Sequence, residues 1–263
     1  MSVPPAPVGA RPASGPVPVL VVPCYNEAQR LDRPALRRLA EGGSLQLLLV
    51  NDGSRDATAA ALAEVAAGTT AQVLDLATNA GKGEAVRHGL LKALADGATI
   101  VGYFDADLAT PPSELQRLID TLVEREDVEV AMGCRVARLG SIIDRSVTRH
   151  YLGRVFASAA SLALGCQVYD TQCGAKVFRA TPALSGALER PFGSPWAFDV
   201  TLLRRLLSGD GHRPAVAPAA MVEVPLGEWR ERGGSRLDVG SMIRAFAAVL
   251  AMIVRRALRR PPP

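Results

Sequence analysis

Thr99-Ile100-Val101-Gly102-Tyr103-Phe104-Asp105-Ala106-Asp107 is an uncharged run that ends in two carboxylates. The run is continuously apolar, not alternating, as expected of a strand covered on both faces. Thr110-Pro111-Pro112 follows and opens a helical stretch, Ser113–Glu124. Strand, acidic turn and helix in that order point to an α/β unit with polar groups at the strand's C-terminal end.

The same unit repeats outward from this stretch. Aliphatic runs occur at Val17–Val22, Leu45–Val50, Gln72–Leu76 and Val128–Met132, and helical patterns at Ala28–Ala40, Ala57–Ala67 and Glu84–Ala95. Such alternation predicts an α/β fold, a mainly parallel sheet sandwiched by helices. Right-handed crossovers bring the strand ends to one edge. The second half is less regular. A long helix is expected over Asp144–Leu164, short strands at Lys176–Arg179 and Met221–Val224, a helix at Ala197–Leu207 and a final amphipathic helix at Val239–Leu258. The expected organisation is a Pro-rich disordered leader over residues 1–16, one domain over 17–236, and a basic C-terminal helix and tail over 237–263.

Composition narrows the classes. The chain has 263 residues, 48% of them hydrophobic, enough for a packed core. Its four cysteines form no C-x-x-C pair and its three histidines are scattered, which argues against a zinc site and for a reduced compartment. No apolar run reaches the ~20 residues that span a bilayer. Net charge is only +4, yet Arg244–Arg260 holds five arginines and no acid, so an anionic partner is expected there. The tail lacks the interleaved aromatics of a single-strand nucleic-acid platform, and no nucleic-acid partner is expected.

Three strand-end segments carry the chemistry: Pro23-Cys24-Tyr25-Asn26-Glu27, Asn51-Asp52-Gly53-Ser54 and Asp105-Ala106-Asp107. Asp105 and Asp107 are costly to bury ionised without a cation, and a hard ion such as Mg²⁺ or Mn²⁺ suits oxygen ligands. Taken alone, D-x-D also fits a capped turn. Asp52-Gly53-Ser54 fits either a turn or an acceptor for a base or ribose. Asn79-Ala80-Gly81-Lys82-Gly83-Glu84 is a glycine-rich entry to a helix that fits neither a P-loop nor G-x-G-x-x-G, and reads as an anion site or a plain helix start.

In this order and spacing, these segments resemble the family 2 glycosyltransferases of the GT-A (Rossmann-like) fold. Gly133-Cys134-Arg135 and Asp170-Thr171-Gln172-Cys173-Gly174-Ala175-Lys176-Val177-Phe178-Arg179 are similar to the dolichyl-phosphate (polyprenyl-phosphate) beta-glucosyltransferase branch. Trp196-Ala197-Phe198-Asp199 and Trp229-Arg230-Glu231-Arg232-Gly233-Gly234-Ser235-Arg236 continue the likeness, which spans Val17 to about Arg260. The resemblance implies that Pro23, Tyr25, Glu27, Asp52, Lys82 and Asp105 hold the donor nucleotide. It implies that Asp105 and Asp107 hold Mg²⁺ or Mn²⁺, and that Arg135, Arg149, Arg154, Gln172 and Lys176 meet an acceptor phosphate. Some polyprenyl-phosphate relatives carry a polar residue two positions after the second aspartate. Ala109 stands there in this chain, so coordination would draw on water or a residue from elsewhere.

The implied reaction is a single inverting displacement that moves a hexose, glucose from UDP-glucose, onto a polyprenyl or dolichyl phosphate. Asp107 and Asp199 are the catalytic candidates. Asp199 is a base only if the acceptor is a hydroxyl, and it equally suits a helix N-cap. Cys173 reads as a packed neutral thiol. The alternatives are a family 2 transferase using GDP-mannose, UDP-N-acetylglucosamine or a hydroxyl acceptor, and a nucleotide-sugar-binding regulatory module. A lipid acceptor implies a cytoplasmic enzyme, peripheral on the inner face of a membrane. The expected membrane contact is the last helix: an apolar face of Met242, Phe246, Val249, Leu250, Ile253 and Leu258, with Arg244, Arg255, Arg256, Arg259 and Arg260 for anionic headgroups. The same stripe also suits packing on the domain.

Overall fold

The computed structural model describes residues 17–194, 196–209, 212–232 and 239–258. The leader 1–16, the Gly233–Arg236 segment, the Met242 side chain and Arg259 and Arg260 lie outside the described residues.

Nine strands and eight α-helices are described. The first half alternates β1 (Val19–Cys24), α1 (Arg33–Glu41), β2 (Gln46–Asp52), α2 (Thr58–Ala66), β3 (Gln72–Leu76), α3 (Lys82–Ala95), β4 (Ile100–Phe104), α4 (Pro112–Glu124) and β5 (Val130–Cys134). Then come β6 (Ile142–Asp144), α5 (Val147–Leu164), β7 (Ala175–Arg179), α6 (Pro182–Leu188), α7 (Phe198–Ser208), β8 (Met221–Pro225), β9 (Glu228–Arg230) and α8 (Val239–Leu258).

Seven strands form one sheet in the order β3-β2-β1-β4-β7-β5-β8, and β6 and β9 form a separate parallel pair. Strand parity divides the core. Leu20, Val22, Leu47 and Leu49 face α1, α2 and α4, while Val21, Leu48 and Val50 face the layer of α3, α5, α6, α7 and α8. The helices therefore sandwich the sheet, as the uninterrupted apolar strands require.

Local chemistry explains where elements differ from expectation. The helix expected from Ala28 starts at Arg33, because Asp32 accepts from the Ala35 amide and Pro34 occupies the first turn. The helix expected from Asp144 is split. Asp144 closes β6, and Ser146 caps α5 by accepting from the Arg149 amide. Strand β7 runs antiparallel to both β4 and β5, so the sheet is mixed at that point.

Lys176 sits on β7 with no exposure, and its Nζ lies 2.6 Å from Asp199 Oδ1 on α7. It also donates to the Cys173 carbonyl at 2.7 Å. The Tyr103 hydroxyl of β4 donates to the same Asp199 oxygen. Lys176 was expected on the acceptor phosphate; that expectation is corrected, because its ammonium is buried and held by Asp199 and the Cys173 carbonyl inside the protein.

Breaking a buried pair by removing one partner typically costs about 3–5 kcal/mol. Lys176→Met is expected to lower the unfolding free energy by that order in urea titration. The double variant Lys176→Met/Asp199→Leu should recover much of the loss. Equal stability of wild type and Lys176→Met would contradict the assignment.

Candidate active site

The ends of β1, β2 and β4 meet at one sheet edge, where the motif loops are laced together. The Asn26 amide donates to Ser54 Oγ at 3.0 Å, the Arg55 amide donates to Asn26 Oδ1 at 2.8 Å, and the Glu27 amide donates to Thr58 Oγ1 at 2.7 Å. Asn26 (φ 48°) and Leu108 (φ 54°) hold left-handed backbone conformations inside these loops. Non-glycine residues in that region concentrate at functional sites.

Asp52 is 2% exposed. Its carboxylate accepts from Asn79 Nδ2 (2.9 Å), the Ala80 amide (2.8 Å) and the Gly81 amide (2.9 Å). Asp52 thus shapes the glycine-rich loop from within. These donors take three of the about four acceptor positions of a carboxylate and leave room for the expected nucleoside contact. Lys82, delivered by that loop, places Nζ 2.5 Å from Asp105 Oδ1. Burial works to lower the Lys82 ammonium, but Asp105, Asp199 and Asp107 outweigh it and hold it above its ordinary value. Asp107 accepts from the Ala109 amide at 3.0 Å, and burial together with the Asp105 charge pushes its carboxyl up.

A cavity of about 420 Å³ opens here. Of the expected residues, Pro23, Glu27, Lys82, Asp105, Asp107, Arg135, Arg149, Arg154, Gln172 and Asp199 line it, whereas Tyr25, Asp52 and Lys176 do not. The cavity continues from the carboxylates along α5 to an apolar end at Leu152, Phe156, Ala157, Ala245 and Phe246. Phe156 and Phe246 meet edge to face, with centroids 5.5 Å apart.

Most cations on the intervening wall have partners. Arg135 grips Asp170 with Nε (2.7 Å) and Nη2 (2.8 Å). Burial alone would raise the Asp170 carboxyl, but Arg135 outweighs it and holds it well below the usual range. Arg154 donates to the Tyr169 carbonyl at 2.8 Å and stacks 3.7 Å from the Tyr169 ring. Arg149 pairs with Glu231. Gln172 Nε2 is buried with no hydrogen-bond partner among the described residues. Burial pushes the Cys173 thiol up to about 11, which keeps it neutral.

Sequence reasoning missed several contributors. Tyr103 was read only as strand, Arg145 lies outside every motif, and Glu223 on β8 fixes the Tyr169 and Asp170 amides at 2.8 and 2.7 Å. A carboxylate in the short strand of Met221–Pro225 was the only available signal for the last of these.

Comparison with known proteins adds the following. The family model "Glycosyl transferase family 2" matches residues 19–183. A dolichyl-phosphate beta-glucosyltransferase of Drosophila melanogaster is 32% identical over 243 residues, 83% of this chain and 68% of that protein. One from Dictyostelium discoideum is 30% identical over 245 residues, 83% of this chain and 68% of its own length. A polyprenol monophosphomannose synthase of Mycolicibacterium smegmatis is 25% identical over 244 residues, covering 92% and 89%. Among solved structures, glucosyl-3-phosphoglycerate synthase of Mycobacterium tuberculosis, in complex with Mn²⁺, UDP-glucose and phosphoglyceric acid, shares the fold. Its TM-score is 0.67 at 20% identity, covering 94% of this chain and 82% of that one.

Gly174 adjoins this edge so closely that a Cβ there would lie 2.1 Å from Asp105 Oδ2. Gly174→Ala should displace the carboxylate and reduce turnover by about 100-fold, the usual scale for an ångström of misplacement. Thermal melting would verify that the fold survives; undiminished turnover would contradict the arrangement.

Proposed function

Because the chain belongs to glycosyl transferase family 2, we propose that it transfers a hexose from a nucleotide-sugar onto a polyprenyl phosphate, with UDP-glucose as donor. The observation that carries this reading is the single cavity joining a carboxylate pair, a cationic wall and an apolar trough. A nucleotide diphosphate suits the first, a phosphate the second and a prenyl chain the third. The names of the Drosophila and Dictyostelium relatives support glucose and a dolichyl phosphate.

Asp105 and Asp107 fit a hard divalent ion. They are two crowded carboxylates, and Asp107 is held above its ordinary value by burial and by its neighbour. Among the described residues no third His, Cys, Asp or Glu joins them, so diphosphate oxygens and water would complete the shell of Mg²⁺ or Mn²⁺. When bound, such an ion stabilises charge on the departing diphosphate. Lys82 supplies a second positive charge beside Asp105 for the same leaving group. Pro23 and Glu27 border the cavity on the donor side.

The acceptor phosphate is already anionic, so its oxygen attacks the anomeric carbon without a base, and the carbon–oxygen bond to the nucleoside diphosphate breaks in line. Asp199 lines the cavity while Tyr103 and Lys176 fix its Oδ1, an arrangement suited to orienting a sugar hydroxyl. The same placement favours a second reading, in which Asp199 is the base for a hydroxyl acceptor.

The membrane contact is proposed on α5 and α8. Among the described residues no helix is long and apolar enough to cross a membrane. The expected lipid face of α8 is corrected in part: Val249 is buried, Ile253 packs against the core, and Phe246 meets Phe156 at the cavity. Arg256 donates to the Leu162 carbonyl at the C-terminus of α5 and so engages that helix end. The outward stripe of α8 is instead Ile243, Leu250, Val254 and Leu258, and α5 adds Tyr151, Val155 and Leu162. The cavity's apolar end lies between these two helices, which supports a peripheral enzyme that meets its lipid at the cytoplasmic face of a membrane.

Purified protein given UDP-glucose and a polyprenyl phosphate should form the glycosyl lipid with Mg²⁺ or Mn²⁺ and stop in excess chelator. Asp107→Ala should lower turnover at least 100-fold with the fold intact. Transfer to a sugar hydroxyl but not to the lipid phosphate would favour the second reading. The protein should also sediment with anionic liposomes in a salt-sensitive manner, and Leu250→Asp/Val254→Asp should abolish this; unchanged sedimentation would refute the docking face.

A further inference from the structure

Of the arginines that line the cavity, Arg145 and Arg232 have no hydrogen-bond or ion-pair partner among the described residues, and of these two Arg145 is the half-buried one. Arg135 is held by Asp170, Arg149 by Glu231, and Arg154 by the Tyr169 carbonyl and ring. Arg145 lines the same cavity, and among the described residues it has no hydrogen-bond or ion-pair partner. Its position follows from the local sequence. It stands between Asp144, the last residue of β6, and Ser146, the cap of α5. Its side chain runs back along the helix it precedes, and its guanidinium lies against Gly153 two turns on. A Cβ at residue 153 would come within 2.3 Å of Arg145 Nη2. A Cβ there would push the guanidinium aside, so glycine at 153 gives the arginine its present seat.

We infer that Arg145 is the residue that receives the phosphate of the acceptor lipid. This rests on the proposed acceptor class and names the group that recognises it. A half-buried guanidinium that no carboxylate contacts directly is an arrangement that a phosphate relieves, with charge-assisted hydrogen bonds to two of its oxygens. Burial, and then the like charge of Arg135, press the Arg145 guanidinium below its ordinary value; Asp170 and Tyr169 offset part of this, and Arg149 adds to it. The neighbours of Gly153 complete the geometry. Leu152 and Phe156 line the cavity beside it, so a phosphate on Arg145 leaves its ester tail on the apolar trough. Arg135 and Arg149 are balanced by carboxylates and Arg154 is held by neutral groups, so Arg145 adds positive charge to a wall that is already partly fixed in place.

A phosphate on Arg145 has two sources, the acceptor lipid and the donor diphosphate, and the test separates them. Binding of geranyl phosphate and of UDP is measured by calorimetry on wild type, Arg145→Gln, Arg145→Lys and Gly153→Ala, with thermal melting as a control. Arg145→Gln should weaken geranyl phosphate at least tenfold and leave UDP within twofold. Arg145→Lys should fall between, because it keeps the charge but loses the fork. Gly153→Ala should weaken geranyl phosphate although the arginine is intact. In turnover, the same variants should raise KM for the lipid phosphate and not for the donor. Equal binding of geranyl phosphate by wild type and Arg145→Gln overturns this inference alone. A parallel loss of UDP binding assigns Arg145 to the donor and also overturns it. Wild type that binds UDP but no geranyl phosphate overturns the acceptor class together with the inference.

Discussion

Lys176 carries its charge where water does not reach, and Asp199 makes that position tolerable. The pair ties β7 to α7, and Tyr103 adds β4 to the same oxygen. Of the three residues only Asp199 lines the cavity, and Lys176 and Tyr103 support it from behind. The segment leading into β7 inherits this rigidity: Lys176 also holds the Cys173 carbonyl, and Gly174 is pressed against Asp105. An antiparallel strand inserted into a parallel sheet thereby fixes the donor carboxylates from the acceptor half of the chain.

Charge elsewhere in the site is managed by the same rule of local compensation. Asp170 answers Arg135, Glu231 answers Arg149, and Glu223 takes the amides of Tyr169 and Asp170. Each carboxylate comes from a different part of the chain than its partner. The cationic wall is therefore stiff before any ligand arrives, and a stiff wall loses little conformational freedom when it binds one.

The first half of the fold was legible because its signals are local. The Gln72–Leu76 strand and the Val239–Leu258 helix were read to the residue, since hydrophobic runs and periodicity carry that information. The direction of β7 was not legible, because pairing partners decide it and not the strand's own residues. The β6–β9 pair escaped for a similar reason, being two strands of three residues each from distant segments. In the site, most of the motif residues marked the cavity. Lys176 was expected on a phosphate, yet it is buried against a partner 23 positions away, which no local signal shows. The hold of Asp52 on the glycine-rich loop was equally out of reach, because it joins segments 28 and 29 positions apart.

The packing of α8 on α5 bears on how the protein comes into being. Every strand of the large sheet precedes α8 in the chain, and the Asp105 edge is complete once β7 has paired with β4. During synthesis the nucleotide side can therefore consolidate while α5 still has one bare flank. The trough acquires its second wall only when Ala245 and Phe246 emerge and dock. Until then the apolar lining beside Phe156 is open to water, and it is the part of the nascent chain most in need of shelter from a chaperone or a nearby lipid surface.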